Sequence, residues 1–356
     1  MTLSVADKKI LIQSRGLRIP WEVERELAER FAGVESDYPS FFLEGSTPVG
    51  LLNGFYTEAS PFELRRHGSG YAIFRDDEPF AEVSFLPKTP FLDACTSRGT
   101  PMKRIVKMVA PGFPIIYLNT GCMYWGEKQC KFCVVGHIDT EKFKDPEDVA
   151  ETVEAGVKDG GIRTHVALTS GALPKDKAVD LLAAAVNAIK ERVDIPVSVN
   201  LEPPRDLSKI EMLAEADSIY INMEVFDRAA RRRFLPGKSE FTPEYYFRAF
   251  KVCLDIFDEN QVCSVLLAGL ESDDSYLRGV EALAGRGVLP VTTPFYPALL
   301  SKLAEEKPPS AERMRRIYEC SVEIIQSYGL NPFKTKAGFM RGGAIFALKE
   351  VWKETI

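Results

Sequence analysis

Three cysteines fall within twelve residues, Cys122, Cys130 and Cys133, in the run GCMYWGEKQCKFC. The spacing is C-x7-C-x2-C, and no fourth cysteine lies nearby. A cluster that serves only structure or electron transfer normally takes four protein ligands. Three thiolates on one loop would hold three irons of a cubane iron–sulfur cluster and leave the fourth open for another ligand. The incomplete set therefore points to a reactive metal site. His137 follows Cys133 after three residues, so the run also reads as C-x7-C-x2-C-x3-H, a tetrahedral zinc set. Structural zinc sites usually pair two knuckles, which favours the cluster; zinc bound by Cys122, Cys130, Cys133 and His137 stands as the alternative. The other four cysteines, Cys95, Cys253, Cys263 and Cys320, are scattered and read as small core hydrophobes. With three histidines in the chain (His67, His137, His165), histidine acid–base chemistry has few candidates.

The elements around the cysteines follow a regular order from Pro114 onward. A short apolar strand, Ile115–Asn119, leads into the cysteine loop, and a helix is announced by Asp145 as cap and Pro146 in the first turn. Strands are expected at His165–Thr169, Val197–Leu201, Ser218–Met223, Val262–Ala268 and Val288–Thr293. They alternate with helices at Lys175–Arg192, Leu207–Ala216, Pro243–Phe257, Ser275–Ala284 and Ala311–Tyr328. Such alternation implies a parallel sheet with right-handed crossovers. Six units predict a partial (β/α)6 barrel of TIM type rather than a closed eight-stranded one. Residues 1–105 read as a small α+β module with a helix at Trp21–Phe31 and strands at Phe41–Leu43, Tyr71–Arg75 and Phe80–Leu86, the last two joined by the turn DDEP. The barrel is expected over 106–330. A C-terminal extension, 331–356, carries Lys334, Lys336, Arg341, Gly342 and Gly343, then a final helix at Ala344–Lys353.

In barrels of this kind chemistry gathers at the C-terminal ends of the strands. Those ends are polar here: Thr169-Ser170-Gly171, Glu202 before two prolines, Asn222 and Glu224, Gly269-Leu270-Glu271, and Thr292, Thr293 and Pro297. Arg231–Arg233 and Lys238, in the loop after the fourth strand, read as a solvated face, with approach of the loop to an acidic substrate as the alternative. The net charge of −6, with no longer basic run than that arginine triplet, speaks against nucleic acid as partner. The N-terminus shows no signal-peptide pattern and no apolar run approaches about 18 residues. These features, with cysteine usage that fits a reducing compartment, predict a cytoplasmic protein without membrane association.

These residues together resemble the radical S-adenosylmethionine (radical SAM) superfamily over roughly 110–330. The likeness rests on the cysteine loop after the first barrel strand, with Phe132 just before the last cysteine, and on the AGLE segment Ala268–Glu271. The family's usual first gap is three residues; here it is seven. The run VCSVLLAGLES, Val262–Ser272, is similar to the corresponding strand of biotin synthase, and the chain resembles the biotin synthase-like and lipoyl synthase-like members. It lacks the cysteines that would hold a second, sulfur-donating cluster, so sulfur insertion is not expected. The resemblance implies a [4Fe–4S] cluster on Cys122, Cys130 and Cys133 whose open iron chelates SAM. One-electron reduction, by a partner such as ferredoxin or flavodoxin, would then release a 5′-deoxyadenosyl radical that abstracts hydrogen from a small molecule or cofactor precursor. It places Thr169, Ser170 and Gly171 at the SAM amino group. Glu202, Asn222 and Glu224 would serve the ribose, and Phe132, Gly269, Glu271 and Pro297 the adenine. Such an enzyme is expected to be oxygen-sensitive. A cobalamin-dependent radical methylase is the second enzymatic reading, with the N-terminal module unassigned.

Overall fold

The computed structural model describes residues 3–34, 38–342 and 347–355. The first part comprises α1 (Val5–Arg15), α2 (Trp21–Arg30) and strands β1 (Phe31–Ala32), β2 (Ser40–Leu43), β3 (Thr47–Gly50), β4 (Phe62–His67), β5 (Gly70–Arg75), β6 (Glu78–Ser84) and β7 (Leu86–Pro87). Five of these strands form an antiparallel sheet in the order β3-β2-β6-β5-β4. The turn between β5 and β6 has φ of 48° at Asp76 and 70° at Asp77, a left-handed pair that aspartate tolerates and that suits a tight hairpin. This sheet encloses its own core, with Phe41, Leu43, Val49, Leu64 and Ile73 fully buried. The α1 helix, capped by Ser4, was not anticipated. Its Ile12 enters this core while Ala6 and Ile10 enter that of the barrel.

The remainder begins with β8 (Lys107–Val109) and then alternates β9 (Phe113–Asn119), α3 (Pro146–Lys158), β10 (Val166–Ser170), α4 (Lys177–Arg192), β11 (Val197–Leu201) and β12 (Ser218–Ile221). It continues through α5 (Arg228–Phe234), α6 (Pro243–Ile256), β13 (Val262–Ala268), α7 (Asp273–Ala284), β14 (Leu289–Pro294), α8 (Ala311–Ser327), α9 (Phe339–Gly342) and α10 (Leu348–Thr355). Strands β9 to β14 run parallel in sequence order, and β8 adds an antiparallel edge beside β9. This is the expected α/β architecture, a half-barrel of six parallel strands with helices outside. The strands are apolar on both faces, as burial between the barrel interior and the helices requires. Asp145 caps α3, Thr242 α6, Ser272 α7 and Ser310 α8, each accepting a backbone N–H of the first turn.

Several elements differ from the sequence-based expectation. Leu207–Leu213 is a 3-10 segment rather than an α-helix. Helix α5 occupies what reads as a loop, and its Arg231 is 1% exposed, so the solvated-face reading does not hold for that residue. Cys253 and Cys263 are buried, but Cys95 is exposed and Cys320 only partly covered, which corrects the expectation of four core cysteines. Gly343 and Ala344, where the last helix was expected to begin, lie outside the described residues.

The segment after α8 folds under the N-terminal ends of the strands. The Tyr220 hydroxyl, directed from β12, donates to the Ala337 carbonyl (3.0 Å) and accepts from the Met340 amide (3.2 Å). Ser218 Oγ accepts from Ala337 N, and Gln261 Oε1 accepts from Lys336 N. A Cβ on Gly338, whose φ is +91°, would lie 2.3 Å from the Tyr220 ring. The backbone between Lys334 and Met340 thus forms a floor, leaving the opposite end of the barrel for the site.

Candidate metal and cofactor site

At the end of β9 the Asn119 side chain brackets the next turn: its Nδ2 donates to the Gly121 carbonyl (2.6 Å) and its Oδ1 accepts the Gly121 amide (3.1 Å). The cysteine loop is then tied to the end of β10 by Met123 N–H to Ala172 O (2.8 Å) and Gly171 N–H to Asn119 O (2.9 Å). Gly171 lies so close that a Cβ there would stand 3.2 Å from both Cα and Cβ of Cys122. The C-x2-C turn closes with Cys133 N–H donating to Cys130 O (2.9 Å), and Gln129 Nε2 donates to Cys133 O (2.7 Å). On the far side, Lys131 N–H reaches Phe234 O (2.8 Å) and Gly237 N–H reaches Lys128 O (3.0 Å), so the segment carrying α5 lies along the loop. A seven-residue first gap gives the loop the length to span both flanks.

The three thiols line one cavity of about 190 Å³, together with Phe132, Thr169, Ser170, Gly171, Glu202, Asn222 and Glu224. Strand ends widely separated in sequence therefore converge on the cysteines. Gly269, Glu271 and Pro297 do not line this cavity. Both carboxylate oxygens of Glu271 are engaged, with the amides of Phe226 (2.7 Å) and Asp227 (2.8 Å) and with Ser275 Oγ (2.7 Å). Gly269, at φ +113°, packs on Pro309. The Pro297 carbonyl faces Gly54 of the N-terminal part, where a Cβ would come within 2.1 Å. Leu270, between the two AGLE residues, packs with Cys130 and Phe132.

The cavity also contains Tyr117, Tyr124 and Asn200, which sequence reasoning passed over, and Lys238. Lys238 Nζ donates to Glu224 Oε1 at 2.9 Å, which corrects its reading as part of a solvated face. Burial disfavours its charge, but the Glu224 carboxylate, together with Cys130 and Tyr246 beside it, outweighs this and raises its pKa. Asn200 Oδ1 accepts from Asn222 Nδ2 (3.1 Å), whose own Oδ1 accepts the Val265 amide (3.2 Å). An asparagine inside a strand, where it is disfavoured, was the available signal for Asn200. Lys238 had no comparable signal, because its reach depends on how α5 folds. Glu224 has φ 67°, a left-handed conformation uncommon for a non-glycine residue and concentrated at functional sites.

Two observations bear on what the cavity fits. Glu202 Oε2 and Glu224 Oε2 are buried without a hydrogen-bond partner, and a native structure seldom leaves such acceptors idle. They suit a ligand rich in hydroxyl or ammonium donors. Burial raises the Glu202 carboxyl to about 7, with Tyr124 Oη as a weak donor at 3.4 Å. Two of the thiols are in the same position: burial pushes Cys133 up to about 11 and Cys130 higher still. Thiolates there need a neighbouring cation, which iron would supply. Among the described residues no three His, Cys, Asp or Glu side chains gather closely enough to share one metal ion. His137 faces away from this cavity, its ring edge-on to Trp125 at 5.1 Å. Three thiols arranged around a cavity suit a multi-iron cluster better than a single zinc.

Residues 120–284 match the family model of the radical SAM superfamily. That stretch, a little under half of the chain, is similar to the superfamily, whose members are enzymes that use a [4Fe–4S] cluster and SAM. A curated relative is the bacteriochlorophyllide c C-7(1)-hydroxylase of Chlorobaculum limnaeum, 27% identical over 235 residues, or 59% of this chain. The match spans 57% of that protein's length. Two solved structures of the [FeFe]-hydrogenase maturase HydG are more distant. One aligns over 60% of this chain and 49% of its own at 17% identity and a TM-score of 0.45. The other, from Carboxydothermus hydrogenoformans, aligns over 61% and 52% at 19% identity and the same score. Among the described residues no helix is long and apolar enough to cross a membrane.

Proposed function

We propose that this chain is a radical SAM enzyme that abstracts hydrogen from a small organic molecule, with Cys122, Cys130 and Cys133 as the cluster ligands. The observation that carries this reading is the convergence of three thiols, one buried and two half-buried, and two orphaned carboxylate oxygens on one cavity at the strand ends, within the region that matches the family. When bound, the cluster and SAM supply a 5′-deoxyadenosyl radical after one-electron reduction. The protein's part is to hold, orient and shield. Glu202 and Glu224 accept from ribose hydroxyls, with Asn222 beside them, while Thr169, Ser170 and the Gly171 backbone receive the amino end of SAM. Phe132, packed with Leu270 and Phe295, covers the base. Lys238 holds Glu224 in place. Gly269, Glu271 and Pro297 act through the backbone and the packing behind this wall.

The Chlorobaculum limnaeum relative is named for hydroxylating a bacteriochlorophyllide; from it we carry only that the substrate is a small organic molecule with a C–H bond to be broken. A ferredoxin or flavodoxin is the inferred electron donor. We also infer a division near residue 105 between the N-terminal module and the barrel, and a cytoplasmic location. The test is anaerobic reconstitution with iron and sulfide, then SAM and a strong reductant, scored for 5′-deoxyadenosine. Formation by the parent protein and loss in Cys130→Ala is the expected result. A Cys130→Ala protein with undiminished iron and sulfide would overturn the ligand assignment.

A further inference from the structure

A second cavity, about 700 Å³, lies between the N-terminal module and the first barrel strands. The two cavities share Tyr117 of β9 as a wall. They lie on opposite sides of the chain just past the cysteines, where Val134 faces the larger and Val135 the smaller. We propose that this larger cavity is the substrate site, and that its ligand is an apolar molecule carrying an acidic group. The assignment rests on the proposed radical reaction, and it gives the N-terminal module a function.

The size falls within the range of about 300–1,000 Å³ typical of small-molecule sites. Its walls are mainly aliphatic and aromatic, contributed by α2 and β1 on one side and by Ile115 and Tyr117 on the other. Its charged rim is one-sided. Among the described residues that line it, the acidic side chain is Asp139, which is 92% exposed at the outer edge beside Arg104. The basic ones include Lys88, Lys103 and Lys107, in a chain with a net charge of −6. The Lys107 ammonium sits 4.0 Å over the Tyr38 ring. Lys88 pairs with Asp93 at 3.2 Å, but Asp93 is 62% exposed, and such surface pairs hold weakly. Lys103 is exposed at the rim. A substrate bound here would place its apolar body against Tyr117 and its acid toward Lys88 and Lys103.

The test uses 1-pyrenebutyrate, an apolar aromatic acid, and the neutral 1-pyrenebutanol, titrated by fluorescence into cluster-free protein. The acid should bind saturably and about tenfold more tightly than the alcohol. Replacing Lys88 and Lys103 together with alanine should remove that preference without disturbing the fold, since both are exposed. Ala28→Trp, at the exposed end of α2 that lines the cavity, should weaken both probes at least fivefold. In the cluster-loaded enzyme the bound acid should change the rate of 5′-deoxyadenosine release at least twofold, and Ala28→Trp should abolish that change. Absent saturable binding, equal affinity of acid and alcohol, insensitivity to these substitutions, or an unchanged release rate would each overturn the proposal. Binding that persists in a protein unable to form deoxyadenosine would instead sink the reaction and leave the cavity as a binding site.

Discussion

The Glu202 carboxyl illustrates how much of this site is written in burial. Its folded pKa is raised to about 7 by desolvation, while an unfolded chain releases the proton near the ordinary value of about 4.3. Between those pH values the folded state holds more protons than the unfolded one, so this group's contribution to stability falls as pH rises. In cluster-free protein Glu202→Gln removes that loss. Its stability advantage over the parent should grow between pH 5 and pH 8 and level off above 7, reaching on the order of 1–3 kcal/mol. Urea denaturation at the two pH values checks this; a constant difference would mean that Glu202 finds a partner in solution. The cysteines were legible as a set because ligand spacing is local. Glu202 and Asn222 were legible because polar groups ending apolar strands stand out. The pairing of Glu224 with Lys238 was not, because it joins residues whose approach depends on a helix with no apolar stripe to announce it.

Helix α5 is the element that brings the far wall to the cysteines. Its Arg231 is buried, and the guanidinium donates to four carbonyls: Met223 (2.6 Å), Val225 (2.9 Å), Phe241 (3.2 Å) and Lys238 (3.3 Å). It also lies 4.8 Å from the centre of the Tyr246 ring. Arg231→Met should cost about 3 kcal/mol or more by leaving those carbonyls unpaired, and Arg231→Lys should not restore it, since an ammonium cannot reproduce the planar fork. Chemical denaturation measures the first effect, and iron content after reconstitution reports whether the wall has moved. A Cβ on Gly237 would lie 2.4 Å from the Tyr124 ring, so Gly237→Ala should lower cluster retention while far-UV circular dichroism stays unchanged. The parallel strands were readable from their βα rhythm, and the capped helices from Asp145, Thr242 and Ser310. The short segments β3, β4, β8 and α5 were not, because each takes its shape from a neighbour rather than from its own periodicity.

At the scale of the molecule, the two ends of the described chain are held together. Lys9 of α1 and Glu350 of α10 form an ion pair at 3.1 Å, with the two side chains 0% and 9% exposed. Arg315 of α8 binds both Asp7 (3.2 Å) and Glu354 (2.7 Å). Lys9→Met strands a buried carboxylate and should destabilise the protein by about 3–5 kcal/mol, whereas Lys9→Met combined with Glu350→Met should recover most of that loss. Equilibrium denaturation of the two variants distinguishes the cost of a lone charge from the worth of the pair. The α1–α8–α10 junction also sets an order of assembly. Chains leave the ribosome N-terminus first, and the Lys9–Glu350 contact joins residues 341 positions apart, so this contact forms late. Helix α1 can seat Ile12 in the core of the N-terminal sheet early, while its Ala6 and Ile10 face waits for the barrel; the helix is thus a hinge pin set first in one half and only later locked by the other.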